Sequence, residues 1–558
     1  MTSESLNVLA LLLLQSGLTV RILEKESQFH IGERGAGLHP RTLELYKFLG
    51  ILPAVLSQSA TSPRNLKYFS SPEDGKPPRY APFFEPLDDT PSKPMINDRM
   101  LGQDRHEKLL RDRIFDDYGV KIELGAELHS FEQHPGGIVA RVFKTTDTGK
   151  VEEVATADWL VGADGARSTV RKQIGLSFLG ESVSEMASVT GDICILEGSL
   201  TQEHPDGLTI WRVFSSGAAM WMRPCLVPGK NLFSFYIQCA SETKAVEISS
   251  SRQALIERIH ELTGRNDIEF GELVWMGVWR PNIRMVDKFG SGRVFVAGDA
   301  AHVHSPNGAQ GMNSGVQDSF NLAWKLALVQ KGLAPKSILG SYSDERLPVI
   351  ASILNETTQL FRKEFAVKSG PQPEGQTQTT MFRGFELRQF GINYRGSSLT
   401  LDEVFGDKNE RVDSYRSGDD GTVRAGDRAP DAPGLTRLSS DNPDTQAVAI
   451  FELLNTFQHT ALIFPGSSGD KFSTDMLECL REYPSNAVKT LVLLPESSTS
   501  FSAKSAAVLV DTKGYAYTHY GVSWDTPMVV IVRPDGYIGA LVTSGKNGIR
   551  QYFSGIFS

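Results

Sequence analysis

Two segments constrain the folding of this 558-residue chain more than any other. Each runs a short apolar stretch into a glycine turn and then into the start of a helix. The first is Asp158-Trp-Leu-Val-Gly-Ala-Asp-Gly-Ala-Arg-Ser-Thr-Val-Arg171. Gly162 and Gly165 allow the backbone close to a ligand, and the free N–H groups at the helix start suit a diphosphate. A plain strand, turn and helix with a solvated arginine pair is the alternative. In the second, Gly292 to Asn313, the apolar run Val294 to Ala297 delivers Asp299 to a loop mouth, where its carboxylate can accept hydrogen bonds from a polyol. Gly308, Gly311 and the peptide N–H groups entering the next helix can face an electron-rich ring edge that becomes anionic. Few structural loops need Gly, Asp, Pro, Gly and Asn in this order.

Upstream, Leu6 to Ser16 reads as a helix ending at Gly17, and Leu18 to Leu23 as a short strand closed by Glu24. A βαβ nucleotide unit places a strand and glycine turn before such a helix, about 20 positions ahead of the acid. Counting back from Glu24 reaches Met1 to Ser5, which contains no glycine. The unit is therefore expected to be incomplete at its N-terminus. Arg99 to Tyr118 is an amphipathic helical stretch, and short β runs recur between Glu181 and Arg280, as expected of a cavity wall. Ser314 to Gln330 reads as a long helix, residues 366–422 as a polar linker, and Val423 to Ser558 as a further domain with a Pro534-Asp535-Gly536 turn.

The length suggests about three domains at roughly 100–200 residues each. Hydrophobic residues make up 40% and charged residues 22%, ordinary for a soluble globular protein. The net charge of −9 argues against neutralising phosphate backbones, so no nucleic acid partner is expected. Cys194, Cys225, Cys239 and Cys479 show no paired spacing and fit a reducing compartment. The apolar run Val8 to Leu14 is too short for a membrane span, and a cytoplasmic location is expected.

The order Gly-Ala-Asp-Gly, then Gly-Asp-Ala-Ala-His, then Gly-Met-Asn, with Gln317-Asp318 to Lys325, resembles the class A flavoprotein monooxygenases of p-hydroxybenzoate hydroxylase-like fold. The likeness covers most of Leu6 to about Phe365. Ala425-Gly-Asp-Arg-Ala-Pro-Asp-Ala-Pro433 resembles the start of the C-terminal domain of the phenol hydroxylase branch. The resemblance implies an α/β and α+β multidomain fold. Its parts are a discontinuous Rossmann-like FAD-binding domain (1–60, 96–180, 285–365), a β-sheet substrate domain (61–95, 181–284), a linker (366–422) and a thioredoxin-like domain (423–558). That last domain carries only Cys479, so dithiol chemistry is not expected and a homodimer contact is.

It further implies one FAD, reduced by NADPH or NADH, whose hydroperoxide formed with O2 hydroxylates a small phenolic or polyketide-type aromatic substrate, in the manner of secondary metabolism. By likeness Glu24 holds the adenosine ribose, Arg41 and Gln103 contact the cofactor, and Asp164 with Gly165 sits beside the pyrophosphate. Gly298 and Asp299 meet pyrophosphate or ribityl oxygens, and Pro306, Gly311, Met312 and Asn313 border the isoalloxazine. Pro306 and Arg284 are the candidate catalytic residues, and Tyr236 and Trp279 the candidate substrate contacts. Ordinary solvated or packing roles are the alternatives for Glu24, Arg41, Gln103, Trp279 and Tyr236. His302 and His304 lack a further ligand at suitable spacing, and no metal is expected. The branch places an acid at the position of Ala36, so its phenol-deprotonating arrangement is not expected here. A non-catalytic paralogue, and an FAD epoxidase or oxidative-rearrangement enzyme, are the competing expectations. With no glycine turn near residue 5, the sequence as written is expected to hold FAD poorly or not at all.

Overall fold

The computed structural model describes residues 4–68, 80–83, 85–182, 187–198, 200, 209–215, 218–280, 282–304, 309–366, 388–406, 413–417, 421–437, 447–496 and 507–558. The apolar N-terminal run forms helix α1 (Glu4–Gln15), buried on almost every side. It ends where Gly17 takes a left-handed φ of 78° and the Gly17 and Leu18 N–H groups return to Leu14 and Leu13. Strand β1 (Ile22–Glu24) follows, then helix α2 (Pro40–Phe48), which Pro40 starts without losing a needed N–H. Helix α3 (Gln103–Tyr118) precedes β2 (Ile122–Leu124), which pairs in parallel with β1. Strand β3 (Leu160–Gly162) pairs in parallel with β4 (Val294–Val296). After β4 come the long helices α4 (Gln310–Gln330) and α5 (Ser341–Ala366). Helix α1 packs against both α3 and α4 and so bridges the two parallel strand pairs.

A seven-stranded sheet has the order Glu269–Trp279, Ala187–Glu197, Leu232–Cys239, Ala218–Pro224, Thr209–Ser215, Asn65–Tyr68, Tyr80–Pro82. Successive side chains of a strand point to opposite faces. Val189, Ile193, Phe233, Phe235, Ile237 and Met222 share a core with Ala245, Ile248, Leu255 and Ile259 of two covering helices. The intervening residues Ser188, Asp192, Tyr236, Trp221, Trp275 and Trp279 therefore belong to the opposite face.

The C-terminal part is a second seven-stranded sheet, ordered Leu401–Asp402, Ile538–Val542, Met528–Val532, His459–Phe464, Val488–Pro495, Ala507–Asp511, Leu435–Arg437. The stretch 366–422, expected as a linker, supplies the first of these strands. Its described residues Gln389, Ile392, Tyr394, Leu399 and Tyr415 are buried. Its polar average hides apolar and aromatic residues that pack.

One buried carboxylate ties these parts together. Glu345 of α5 accepts from Lys325 Nζ (2.7 Å) and Asn321 Nδ2 (2.6 Å) of α4, from Ser397 Oγ (2.6 Å), and from both terminal nitrogens of Arg533 (2.7 and 2.9 Å). Burial opposes its charge, but Arg533 and Lys325 hold it well below the usual carboxylate range. Glu345→Gln leaves two buried cations short of their counter-charge, where breaking such a pair costs about 3–5 kcal/mol. Urea unfolding of the variant is expected to show a loss of that order, and a change under about 1 kcal/mol would contradict the role.

Candidate active site

Strand β1 ends on Glu24, beside a cavity of ≈ 360 Å³ whose lining includes Glu24, Ser27, Arg34, Gln103 and Glu107. Glu24 is buried and its Oε1 accepts from the Glu26 N–H at 3.0 Å. Gln103 opens α3 and donates to Glu107 Oε1 at 2.9 Å. Burial pushes the Glu107 carboxyl up to about 7. Glu4, in the first turn of α1, rises well above the ordinary range through burial and the nearby Glu107. Close by, the buried Asn7 side chain has neither amide atom hydrogen-bonded.

At the end of β4, Gly298 turns with φ of 58°, and a Cβ there would press on Ser5 Oγ of α1 at 2.9 Å. Gly315 of α4 meets the same crowding, with Gly298 Cα 3.2 Å from where its Cβ would be. Helix α1, the Gly298 loop and α4 thus approach to backbone distance. Gly315 was not among the expected site residues; a glycine inside an otherwise helical run is the signal that marks it. The loop is held by Asp318 of α4, which accepts from Gly298 N (3.1 Å), His302 Nε2 (2.7 Å) and Arg346 Nε (2.8 Å). Burial opposes the Asp318 charge, but His302 and Arg346 keep it at about 2. The neighbouring Asp299 is exposed at the surface of the cleft yet crowded by protein on its other sides. That crowding raises its pKa, with His302 pulling the other way.

The remaining expected residues divide into those the structure brings to this region and those it uses elsewhere. Arg41 is fully buried and does not open on the cleft. Its guanidinium donates to Glu44 (3.0 Å) and to the carbonyls of Asp535 (3.1 Å) and Gly536 (3.2 Å), 4.8 Å above the Tyr537 ring. The physical reason is the docking of the C-terminal turn on α2. Asp164 accepts from Thr169 N (2.6 Å) and Val170 N (3.2 Å), capping the short helix Thr169–Gln173 after Gly165 turns the chain at φ of 77°. Arg171, not anticipated, joins the two glycine loops by donating to Ala300 O (2.9 Å) and Ala166 O (2.8 Å).

Asn313 is buried and fully bonded within the protein. It donates to Gly37 O (2.9 Å) and Ala309 O (2.7 Å) and accepts from His39 N (2.9 Å) and Thr42 Oγ1 (2.7 Å). It braces the first turn of α4, where Gly311 and Met312 stand half-buried beside it. Arg284 donates to Phe178 O (3.1 Å) on a strand whose register sets it opposite Val303. Pro306, like Gly308, lies outside the described residues. His302 and His304 pair with one another at 3.1 Å.

On the sheet face turned from its covering helices, the Tyr236 hydroxyl accepts from Ser188 Oγ at 2.7 Å and the ring stacks on Trp221 at 5.7 Å. Trp279 stands across from Ser188 in register. Further along the same face Asp192 accepts from Trp275 Nε1 (2.7 Å) and the Glu33 backbone N–H (2.5 Å). Glu33 is gripped by Arg223 (2.8 Å) and Arg105 (2.6 Å). This cluster, which sequence reasoning missed, joins the aromatic face to the loop that runs into Arg34 of the cofactor-side cavity. Burial raises Asp192 to about 6, partly opposed by the Glu33 N–H, Trp275 and Arg223.

One glycine loop packed on a buried helix, a second glycine turn tied to it through Arg171, and a carboxyl-lined cavity beside β1 are the features of a nucleotide-cofactor oxidoreductase. The chain belongs to the FAD binding domain family, which matches residues 7–357. A second family, described as phenol hydroxylase, C-terminal dimerisation domain, matches residues 491–558. The chain is 32% identical over 542 residues to a flavin-dependent monooxygenase of Mycobacteroides abscessus, covering 96% of this chain and 95% of that relative. It is 25% identical to pentachlorophenol 4-monooxygenase of Sphingobium chlorophenolicum over 95% of this chain and 90% of the other. Two solved structures share the fold at 22% identity. The flavin-dependent monooxygenase PieE with FAD and substrate superposes with a TM-score of 0.79, over 99% of this chain and 98% of that one. Aklavinone-11 hydroxylase with FAD and aklavinone superposes with 0.76, over 99% and 97%. The protein is an FAD-dependent monooxygenase of mixed α/β multidomain architecture, and no helix among its described residues is long and apolar enough to cross a membrane.

The residues present fit that cofactor. Glu24 and Asp299 offer acceptors to hydroxyl groups, and the buried, unpartnered Asn7 amide of α1 can bond an oxygen-rich group.

Asp192 supplies a pH test. Its folded pKa, near 6, lies above the unfolded value of 3.8. Its stabilising contribution is therefore complete below about 4 and lost as pH rises through 6. At 1.36 kcal/mol per unit the loss is on the order of 3 kcal/mol. Asp192→Asn keeps acceptor capacity without titrating, so its urea stability is expected to fall less than that of the unsubstituted protein between pH 4 and pH 6. Parallel pH profiles would contradict the assignment.

Proposed function

We propose that the protein hydroxylates a phenolic or polyketide-type aromatic ring, using NADPH or NADH and O2, in the cytoplasm and as a homodimer through its C-terminal domain. The observation that carries this reading is the aromatic sheet face of Tyr236, Trp221 and Trp279 beside the Asp192–Trp275 contact, joined through Glu33 to the cofactor-side cavity. Support for the substrate class comes from the relative whose name specifies pentachlorophenol and from the structural neighbour that binds aklavinone. When bound, FAD that a nicotinamide has reduced supplies the activated oxygen for the ring.

The chain's own residues bind, orient and exclude water. Glu24 and Gln103 hold the adenosine side, and Gly298 with Asp299 holds the ribityl and diphosphate region. Gly311, Met312 and the Asn313-braced turn of α4 form the ring side, with Arg284 and Pro306 as the proposed catalytic residues. Asp164 and Gly165 shape the turn that Arg171 locks to Ala300. Tyr236, its hydroxyl oriented by Ser188, and Trp279 present flat apolar surface and one polar handle to an aromatic substrate. Ala36 contributes no acid, so substrate deprotonation does not run through that position.

Incubation of the FAD-supplied protein with NADPH and a panel of substituted phenols and polycyclic phenols tests this. The expected result is nicotinamide oxidation matched by a product heavier by one oxygen for at least one ring class. Nicotinamide oxidation that yields only hydrogen peroxide with every compound would contradict hydroxylation.

A further inference from the structure

A line of buried hydrogen bonds crosses the molecule through the first turn of α4. Tyr537 Oη donates to Gln317 Oε1 (3.4 Å), Gln317 Nε2 to Gln389 Oε1 (2.7 Å), and Gln389 Nε2 to Gln310 Oε1 (2.5 Å). Tyr415 Oη also donates to Gln310 Oε1 (3.2 Å). Gln310 Nε2 then meets His39 Nε2 (3.2 Å), and His39 Nδ1 meets Asp98 Oδ1 (2.5 Å). His39, Asp98, Gln310, Gln317, Gln389, Tyr415 and Tyr537 are each no more than 5% exposed. Water cannot replace a bond lost here, so an amide turned the wrong way leaves buried groups unpaired.

The direction of this line is set at one end. A glutamine amide can donate or accept on either side, so the three glutamines alone fit the line running either way. Asp98 removes that freedom. Its carboxylate accepts only, so a neutral His39 must carry its proton on Nδ1, leaving Nε2 as an acceptor. Gln310 then has to present its NH2 to His39 and its oxygen to Gln389 and Tyr415, as observed. Arg388 stands near enough to Asp98 to feel its charge, beside Gln389, whose left-handed φ of 66° is costly for a residue with a side chain. His39 is also tied to the same turn of α4 through its backbone N–H on Asn313 Oδ1 (2.9 Å).

We propose that His39 is a positioning residue of the monooxygenase: held in its Nδ1–H form by Asp98, it fixes the Gln310 amide and thereby the turn Gln310–Asn313 on the ring side of the cofactor site. The inference rests on the placement of the flavin ring at that turn. Gln389 and Tyr415 extend the same bonding to residues 388–406 and 413–417, and Tyr537 extends it to the C-terminal sheet. The segment between the two large bodies is thereby part of the frame of the active site.

Two measurements separate this proposal from the functional reading beneath it. Nitrogen NMR of protein carrying 15N-histidine is expected to show a neutral Nδ1–H histidine whose signal disappears in His39→Gln. This needs neither FAD nor turnover, and either a neutral Nε2–H form or a doubly protonated ring at His39 would overturn the proposal. The second compares His39→Gln, which keeps one donor and one acceptor, with His39→Leu, which keeps neither. His39→Gln is expected to stay within twofold of the unsubstituted protein in FAD dissociation constant and in peroxide released per NADPH. His39→Leu is expected to weaken FAD binding about tenfold and raise the peroxide fraction. Equal damage from both substitutions, with the fold retained, would overturn the proposal, as would no change in His39→Leu. Failure of the unsubstituted protein to bind FAD would instead count against the functional reading alone.

Discussion

Glu345 sits fully inside the protein with donors from three separate stretches of chain on its two oxygens. A buried carboxylate is tolerated only when its charge is met and its lone pairs are bonded, and here Lys325 and Arg533 meet the charge. That requirement couples regions far apart in sequence. Helix α4 carries Lys325 at one end and the Gln310–Asn313 turn at the other, so the anchor that fixes the helix also fixes the turn. Arg533 brings the C-terminal sheet to the same point, and Asp535 beside it accepts from Arg533 (2.6 Å) and from Trp324 Nε1 of α4 (3.3 Å). The neighbouring peptide carbonyls receive Arg41. The C-terminal part is packed into the back of the flavin-binding body through polar contacts whose partners are buried.

The two glycine loops, α1, and the places of Glu24 at the end of β1 and Asp299 after β4 were legible in the sequence because each depends on local pattern: an apolar run and a turn glycine. The family likeness at Gly-Ala-Asp-Gly and Gly-Asp-Ala-Ala-His carried through to the FAD binding domain family. Roles set by distant partners were less accessible. Arg41 was expected at the cofactor, but the carbonyls that capture it lie 494 and 495 residues away. Asp192 gave no signal, because an acid in a β run reveals nothing of the Glu33 N–H and Trp275 that the folded sheet brings to it. Composition made residues 366–422 read as a polar linker, while Gln389, Tyr394 and Tyr415 among its described residues pack inside.

The cleft itself is an unusual electrostatic setting, with Glu4, Glu107 and Asp299 all carrying raised pKa values and Arg34 lowered by burial. Acceptors crowded in this way are relieved by hydroxyl and amide donors, which a ribose, a ribityl chain and a flavin ring edge provide. The central claim is therefore that this region, Asp299 included, takes one FAD per chain. Titration of the purified protein with FAD, followed by quenching of flavin fluorescence, tests it most directly. The account predicts saturable quenching at one FAD per chain that Asp299→Ala weakens. Absence of saturable quenching, or an unchanged titration in Asp299→Ala, would contradict it.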